Sequence, residues 1–339
     1  MDEAIHTLFN GLSMPVLFLA LTISLIVLAK GAGILVEEAV ALSLRLRIPP
    51  VVIGATVVSL GTTLPEASIS VAAALQGHSD LALGNAVGSI ICDTGLILGL
   101  GAIIRPLPVD PRVVNGQGWI QVGAALLLVV FCLPFGNLGS LFTEGGVLPQ
   151  WGGFLFVILL VVYLYGTLRM TRDLSIQEPF PHDEDEVAAS PWKIGGKLLI
   201  GLMLVVAASK TAIPSAEIIA LRSGVPSGII AASVVAFGTS LPELVTVVTS
   251  VLKGRGDIAI GNVIGADILN VLFVAGVSAA ASPAGLVAGP PFFITLFPFM
   301  LVLLFVFRLG VLGQRKQLGR GYGVLLVVLY GAFLWANYL

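Results

Sequence analysis

Two short segments of this chain carry most of its chemical potential. Gly61-Thr62-Thr63-Leu64-Pro65-Glu66 and Gly238-Thr239-Ser240-Leu241-Pro242-Glu243 repeat one pattern at an offset of 177 residues (Gly61 to Gly238). Each sets a carboxylate beside a proline. Proline lacks an N–H and disturbs the preceding helical turn, so it leaves backbone carbonyls free. Carbonyls, hydroxyls and a carboxylate are thus delivered together. Further on, Gly84-Asn85-Ala86-Val87-Gly88 recurs as Gly261-Asn262-Val263-Ile264-Gly265 at the same offset. From Gly61 to Asp93, 14 of 33 positions match the second copy without a gap. Asp93 and Asn270 are equivalent. Ser89 and Asp93 are four apart and share a helix face, as do their counterparts Ala266 and Asn270.

Oxygen donors without imidazole or thiolate fit a hard cation. Ca²⁺ takes about six to eight oxygens. Glu66 and Glu243, the hydroxyls of Thr62 and Thr239, and the kink carbonyls supply several. Asp93, Asn270 or water would complete the shell. Na⁺ accepts fewer oxygens and less negative charge, which suits Thr63, Ser89, Thr239, Ser240 and Asn270. A group holding one divalent or several monovalent ions has a physical basis for exchange, because the carboxylates repel one another when bare.

The elements that must position these groups are membrane spans. The 339 residues are 57% hydrophobic and 11% charged, with a mean hydropathy of +1.04. A soluble fold carries about 25% charged residues. Net charge is −2 and no basic cluster occurs, so no nucleic-acid partner is expected. The partners expected are the lipid bilayer and inorganic cations, with no obligate protein partner evident. The acidic start, Met1-Asp2-Glu3, does not read as a cleavable signal peptide. Cys92 and Cys132 allow at most one disulfide and no thiolate metal cluster.

Runs of about 20 apolar residues read as ten spans, near 16–43, 51–75, 81–104, 118–134, 151–168, 194–221, 227–251, 258–279, 291–307 and 322–338. Threading them with both termini external puts 14 of the 17 basic residues, Arg45, Arg47, Arg105 and Arg308 among them, on the cytoplasmic side. The domains follow: 1–175 as a first five-helix repeat (core 55–101), 176–189 as an acidic cytoplasmic linker within the 169–193 loop, and 190–339 as a second repeat (core 232–278). Five is odd, so the second copy lies upside down relative to the first. The expected fold is an all-α polytopic membrane protein of ten transmembrane helices, two inverted five-helix repeats with broken helices at the ion site. The run Asp183-Glu184-Asp185-Glu186 reads as a solvated hinge. His6, His78 and His182 fall in loops, and Trp119, Trp151, Trp192 and Trp335 near span ends, as interfacial anchors.

The paired Gly-Thr-x-Leu-Pro-Glu and Gly-Asn-x-x-Gly motifs resemble the alpha-repeats of the cation/calcium exchanger superfamily, the sodium/calcium antiporters of prokaryotic type. The resemblance covers both motif regions and, through the span plan, nearly the whole chain. It implies Glu66 and Glu243 as the main calcium ligands with Thr62 and Thr239 beside them, Asp93 and Asn270 completing a central layer, and flanking sodium sites at Thr63, Ser89 and Ser240. It also implies that the first and sixth helices slide against the other eight, that the protein is no enzyme, and that it sits in a prokaryotic inner membrane without a cofactor. Two departures stand out. The second copy has Ala266 where the family often carries serine, so one hydroxyl of a flanking sodium site is missing. Asp267 follows it, where asparagine is common, and either compensates or faces a neighbouring helix. The central pair also reads Asp93 then Asn270, the reverse of some relatives. Proton/calcium antiport, potassium-dependent sodium/calcium exchange and a gated cation channel are the alternatives. Glu37, Glu38 and Glu217 read as mouth residues or as partners of Lys30 or Lys210.

Overall fold

The structure is a computed structural model, and it describes residues 8–177, 190–223, 238–313 and 317–338. The acidic part of the expected linker, His6, His182 and the first half of the seventh expected span lie outside the described residues.

The chain opens with α1 (Met14–Leu46), a 33-residue helix. The next span is bent: α2 (Pro50–Thr62) meets α3 (Leu64–Leu75) at 45°, with Thr63 between them. Pro65 sits in the first turn of α3, where a missing N–H costs little. Then come α4 (Ser79–Ile104), α5 (Pro111–Cys132) and α6 (Gln150–Gln177). The second half has α7 (Pro191–Arg222), α8 (Leu241–Leu252), α9 (Gly256–Ala281), α10 (Phe292–Gly313) and α11 (Arg320–Tyr338). Among the described residues seven helices are long and apolar enough to cross a bilayer, and the bent α2–α3 pair makes an eighth. The helix α11 has 19 residues and α8 has 12.

Four short strands were not expected. β1 (Leu107–Pro108) pairs antiparallel with β4 (Gln317–Leu318), and β2 (Gly146–Leu148) with β3 (Leu286–Ala288). Each ribbon takes one strand from each half of the chain. The connections after α4 and after α9 are therefore each stapled to the other half. Cys92 and Cys132 are buried free thiols, so the one conceivable disulfide does not form.

Helices α9 and α4 are the centre, 94% and 78% buried, while α1, α6 and α7 are 33 to 39% buried. Outer helices turn Ile23, Ile26, Val161, Val162 and Val328 outward, as expected where lipid is the solvent. The central packing depends on glycine. A Cβ on Gly261 would stand 2.1 Å from the Val51 carbonyl oxygen, and one on Gly265 would stand 2.4 Å from that of Ala55. Backbones of α2 and α9 meet here without side chains between them.

Helices α1 and α7 form a second body, zipped along their length. Gly31 and Gly201 meet back to back. Ser24 bonds Thr211 at 2.6 Å, Lys197 bonds Glu38 at 2.7 Å, and Arg222 donates to the Leu12 and Asn10 carbonyls at 2.7 Å. Lys253, after α8, links this pair to the centre through the Gly33 carbonyl at 3.1 Å and the Glu37 carboxylate. Glu37 and Glu38 thus pair with Lys253 and Lys197, not with Lys30 or Lys210. Arg308, expected in a loop, is buried within α10. It donates to the Val114 carbonyl and Asn115, because its planar fork satisfies a helix backbone and its face stacks on Trp119.

Overpacking a tight core site costs about 1–3 kcal/mol, and here the obstacle is backbone. Gly261→Ala and Gly265→Ala should therefore lower the melting temperature in detergent by several degrees or prevent folding. Gly166→Ala, with nothing within 4 Å of its Cβ, should leave it unchanged.

Candidate cation site

The two repeated motifs adopt matching local geometry. Thr63 (φ −82, ψ −5) and Ser240 (φ −85, ψ 10) hold the same backbone conformation. Each carbonyl accepts the first N–H of the next helix, from Ala67 at 3.1 Å and from Leu244 at 3.0 Å. Glu66 and Glu243 fall in the first turns of α3 and α8, where the helix dipole favours negative charge. Both are 1% exposed.

The third element of each repeat carries a local unwinding that nothing in the sequence announced. Helix α4 widens into a π-helical turn at Cys92–Ile97, and α9 into another at Asn270–Ala275. Such turns displace backbone carbonyls from the regular ladder and cluster at functional sites. Asp93 lies in the first and Asn270 opens the second. Helix α3 packs on the widened turn of α9, and α8 packs on that of α4. Each glutamate-bearing helix therefore leans on the other repeat's turn. A third widened turn, Gly54–Val58 in α2, packs against α9.

Threonine and asparagine exchange across the same interface. The Thr62 hydroxyl lies 3.5 Å from Asn262 Oδ1, and Thr239 donates to Asn85 Oδ1 at 3.3 Å. Thr62 also stands against the Glu243 carboxylate. Asn85 Nδ2 donates to Ser70 Oγ at 3.0 Å and the Glu66 carbonyl at 3.4 Å. From the sequence, Asn85 and Asn262 lie four residues before Ser89 and Ala266 on the candidate helix faces, with no partner assigned. Their side chains hold the hydroxyls of the opposite repeat. The internal repeat was the available signal, since an amide follows the first glycine in both copies.

The nine candidate residues are all buried. Glu66 is within electrostatic reach of Glu243 and Asp93, and Asp93 of Glu243, with Ser240 beside Asp93. Both oxygens of Glu66 lack a hydrogen-bond partner, as do one each of Glu243 and Asp93, Asn270 Oδ1, and the hydroxyls of Thr63, Ser89 and Ser240. An orphaned buried polar group costs about 1–3 kcal/mol, more when charged. So many together, all oxygens, form a donor set that a cation would satisfy. Among the described residues no three His, Cys, Asp or Glu converge as a compact metal cluster, so hydroxyls, amides and carbonyls must complete any cation shell. A separate cavity of about 470 Å³ opens between α5 and α6. No candidate residue lines it, and its walls are mostly apolar. Asp267, which follows Ala266 in α9, is buried. It bonds Thr94 and Gln121 on neighbouring helices.

Broken and widened helices that bring bare oxygens from two inverted halves into the membrane interior define an integral membrane carrier of inorganic cations. The comparisons agree. The profile of the Sodium/calcium exchanger protein family matches residues 16–169 and 194–339, and the chain belongs to that family. Inner membrane protein YrbG of Escherichia coli is 34% identical over 90% of this chain and 92% of its own length. Sodium/calcium exchanger MaX1 of Methanosarcina acetivorans is 29% identical, covering 94% of this chain and 97% of its own. The solved structure of the sodium-calcium exchanger NCX_Mj, soaked with 10 mM Na⁺ and zero Ca²⁺, superposes with a TM-score of 0.79 at 25% identity, over 95% of this chain and 99% of that one.

Removing either amide of the cross-repeat exchange, in Asn85→Ala or Asn262→Ala, should weaken calcium affinity about tenfold, the loss of roughly one net hydrogen bond to a positioned ligand. Calcium titration of purified protein checks this. Equal effects from the two variants are expected from the exchanged geometry.

Proposed function

We propose that this protein is a secondary antiporter exchanging Na⁺ for Ca²⁺ across the membrane by alternating access. The observation that carries the reading is the pair Glu66 and Glu243. They come from opposite repeats, are buried at 1% exposure, and lie within electrostatic reach with carboxylate oxygens unbonded. In this reading one Ca²⁺ takes Glu66, Glu243, Thr62 and Thr239, with Asp93 and Asn270 in the central layer. Thr63, Ser89 and Ser240 belong to flanking sodium sites. The bare group, with its charges uncompensated, resists occlusion, so only loaded states cross. The family's known members support sodium and calcium as the cargo, since MaX1 and NCX_Mj are sodium/calcium exchangers.

The ten-span thread, both termini external and the 169–193 linker cytoplasmic belong to the same proposal, as do the repeat bounds 1–175 and 190–339. It is supported by the basic-residue count and by the ribbons that pair the halves. The moving part is the α1–α7 pair. Its internal polar contacts keep it rigid, and the Lys253–Glu37 contact latches it to the centre.

Three outcomes follow. Calcium uptake into vesicles should respond to an imposed sodium gradient and not to a proton or potassium gradient alone, and Glu66→Gln or Glu243→Gln should lower it about 100-fold, as removal of one partner from a buried charged set does. Ala266→Ser, which restores a hydroxyl, should raise the apparent affinity for sodium. Lys253→Met should change the balance of inward and outward states no more than about fivefold, because a partly exposed ion pair contributes about 1 kcal/mol or less. Labelling of a cysteine introduced near either mouth measures that balance.

A further inference from the structure

Among the buried polar groups outside the exchanged set, Asp267, Thr94 and Gln121 form a connected cluster, and it is one-sided. Asp267 of α9 is 2% exposed. Its Oδ2 accepts from Thr94 Oγ1 and from Gln121 Nε2, each at 2.5 Å. Thr94 is the second residue after Cys92 in the widened turn of α4, directly after Asp93. Gln121 belongs to α5, buried like Asp267. Asp267 Oδ1 and Gln121 Oε1 both lack partners. Each is therefore a buried acceptor left open beside the bond that joins the two side chains.

The repeat makes this cluster informative. At the offset of 177, the counterpart of Asp267 is Ile90, that of Thr94 is Val271, and that of Gln121 is Pro298. All three polar groups correspond to apolar residues in the other copy. This is a polar addition to one side of the pseudo-symmetric frame. Both partners of the Asp267 carboxylate are neutral donors to one oxygen. They support the charge without cancelling it, and its other oxygen is left bare. The same helix lost its hydroxyl one residue earlier, at Ala266. Asp267 also lies within electrostatic reach of Asp93 and Glu243, so the cluster adjoins the central group.

We propose that Asp267, Gln121 and the widened turn of α4 at Asp93-Thr94 form a lateral sodium subsite that replaces the flanking site weakened at Ala266. One carboxylate with neutral amide, hydroxyl and carbonyl oxygens matches a monovalent ion. Ca²⁺ requires more anionic oxygen and about six to eight ligands. The site adds a fourth carboxylate to the central group of Glu66, Asp93 and Glu243. Sodium bound there is displaced through repulsion when calcium occupies the adjoining centre. This inference rests on the exchange reading above.

The test uses purified full-length protein in proteoliposomes, with radiolabelled calcium, comparing sodium-driven calcium efflux with calcium/calcium exchange. In Asp267→Asn, which keeps the size and the acceptor for Thr94, sodium-driven efflux should fall about tenfold more than calcium/calcium exchange. The Hill coefficient for sodium should drop by about one, as expected for a lost site. Gln121→Leu, which keeps the charge and removes the amide oxygen, should raise the half-maximal sodium concentration. Sodium should also raise the melting temperature of the wild type more than that of Asp267→Asn. An unchanged sodium dependence in Asp267→Asn overturns the proposal, and so does an equal loss of both exchange modes, which marks a structural residue. A shift in pH dependence alone, with sodium affinity intact, also overturns it by making Asp267 a proton carrier. Absence of calcium/calcium exchange in the wild type would instead defeat the exchange reading itself.

Discussion

An ionised carboxylate inside a bilayer must have a cation, a proton or a dense set of donors, and this molecule is organised around that demand. Glu66, Asp93 and Glu243 lie buried within reach of one another, and several of their oxygens accept nothing from the protein. A protein that needed these groups only for stability would have surrounded them with donors. Here the neighbours are mostly further acceptors or hydroxyls that can act as acceptors. Such a group is costly when bare and would be stabilised by a cation.

The frame around the site supplies oxygens by relaxing helices. Proline bends the second span at Thr63, and widened turns in α4 and α9 bring Asp93 and Asn270 to the centre. Irregular backbone at this depth is tolerated because it is buried in protein. Glycine allows it, since α2 and α9 meet through Gly261 and Gly265 with no room for a methyl group. Contacts then cross between halves at every level: the strands pair across them, Thr62 meets Asn262, and Thr239 meets Asn85. Some polar groups of each copy are thus partnered only by the other copy. The α1–α7 pair stands apart, with its polar contacts largely internal.

The halves are alike in frame and unlike in charge. Asp93 corresponds to Asn270, Ser89 to Ala266, and Ile90 to Asp267. The two copies therefore present different donor sets on one shared frame.

Much of this was legible from one sequence because duplication prints the same residues twice. Gly-Thr-x-Leu-Pro-Glu at two places, with five apolar runs around each, determined the membrane class, the inverted plan and the nine candidate residues. Spacing on a helix was enough to join Ser89 to Asp93 and Ala266 to Asn270. Other features arise between elements distant in the chain, and no local pattern encodes them. Lys253 reaching Glu37, Arg308 turning inward to Val114 and Asn115, and Asp267 bonding Thr94 and Gln121 depend on which helices touch. The widened turns in α4 and α9 are packed on by helices of the other half, and their residues look helical when read alone. Sequence determined which groups enter the membrane; tertiary packing decided which of them meet, since a buried oxygen is defined by its neighbours and those are contributed by the other half.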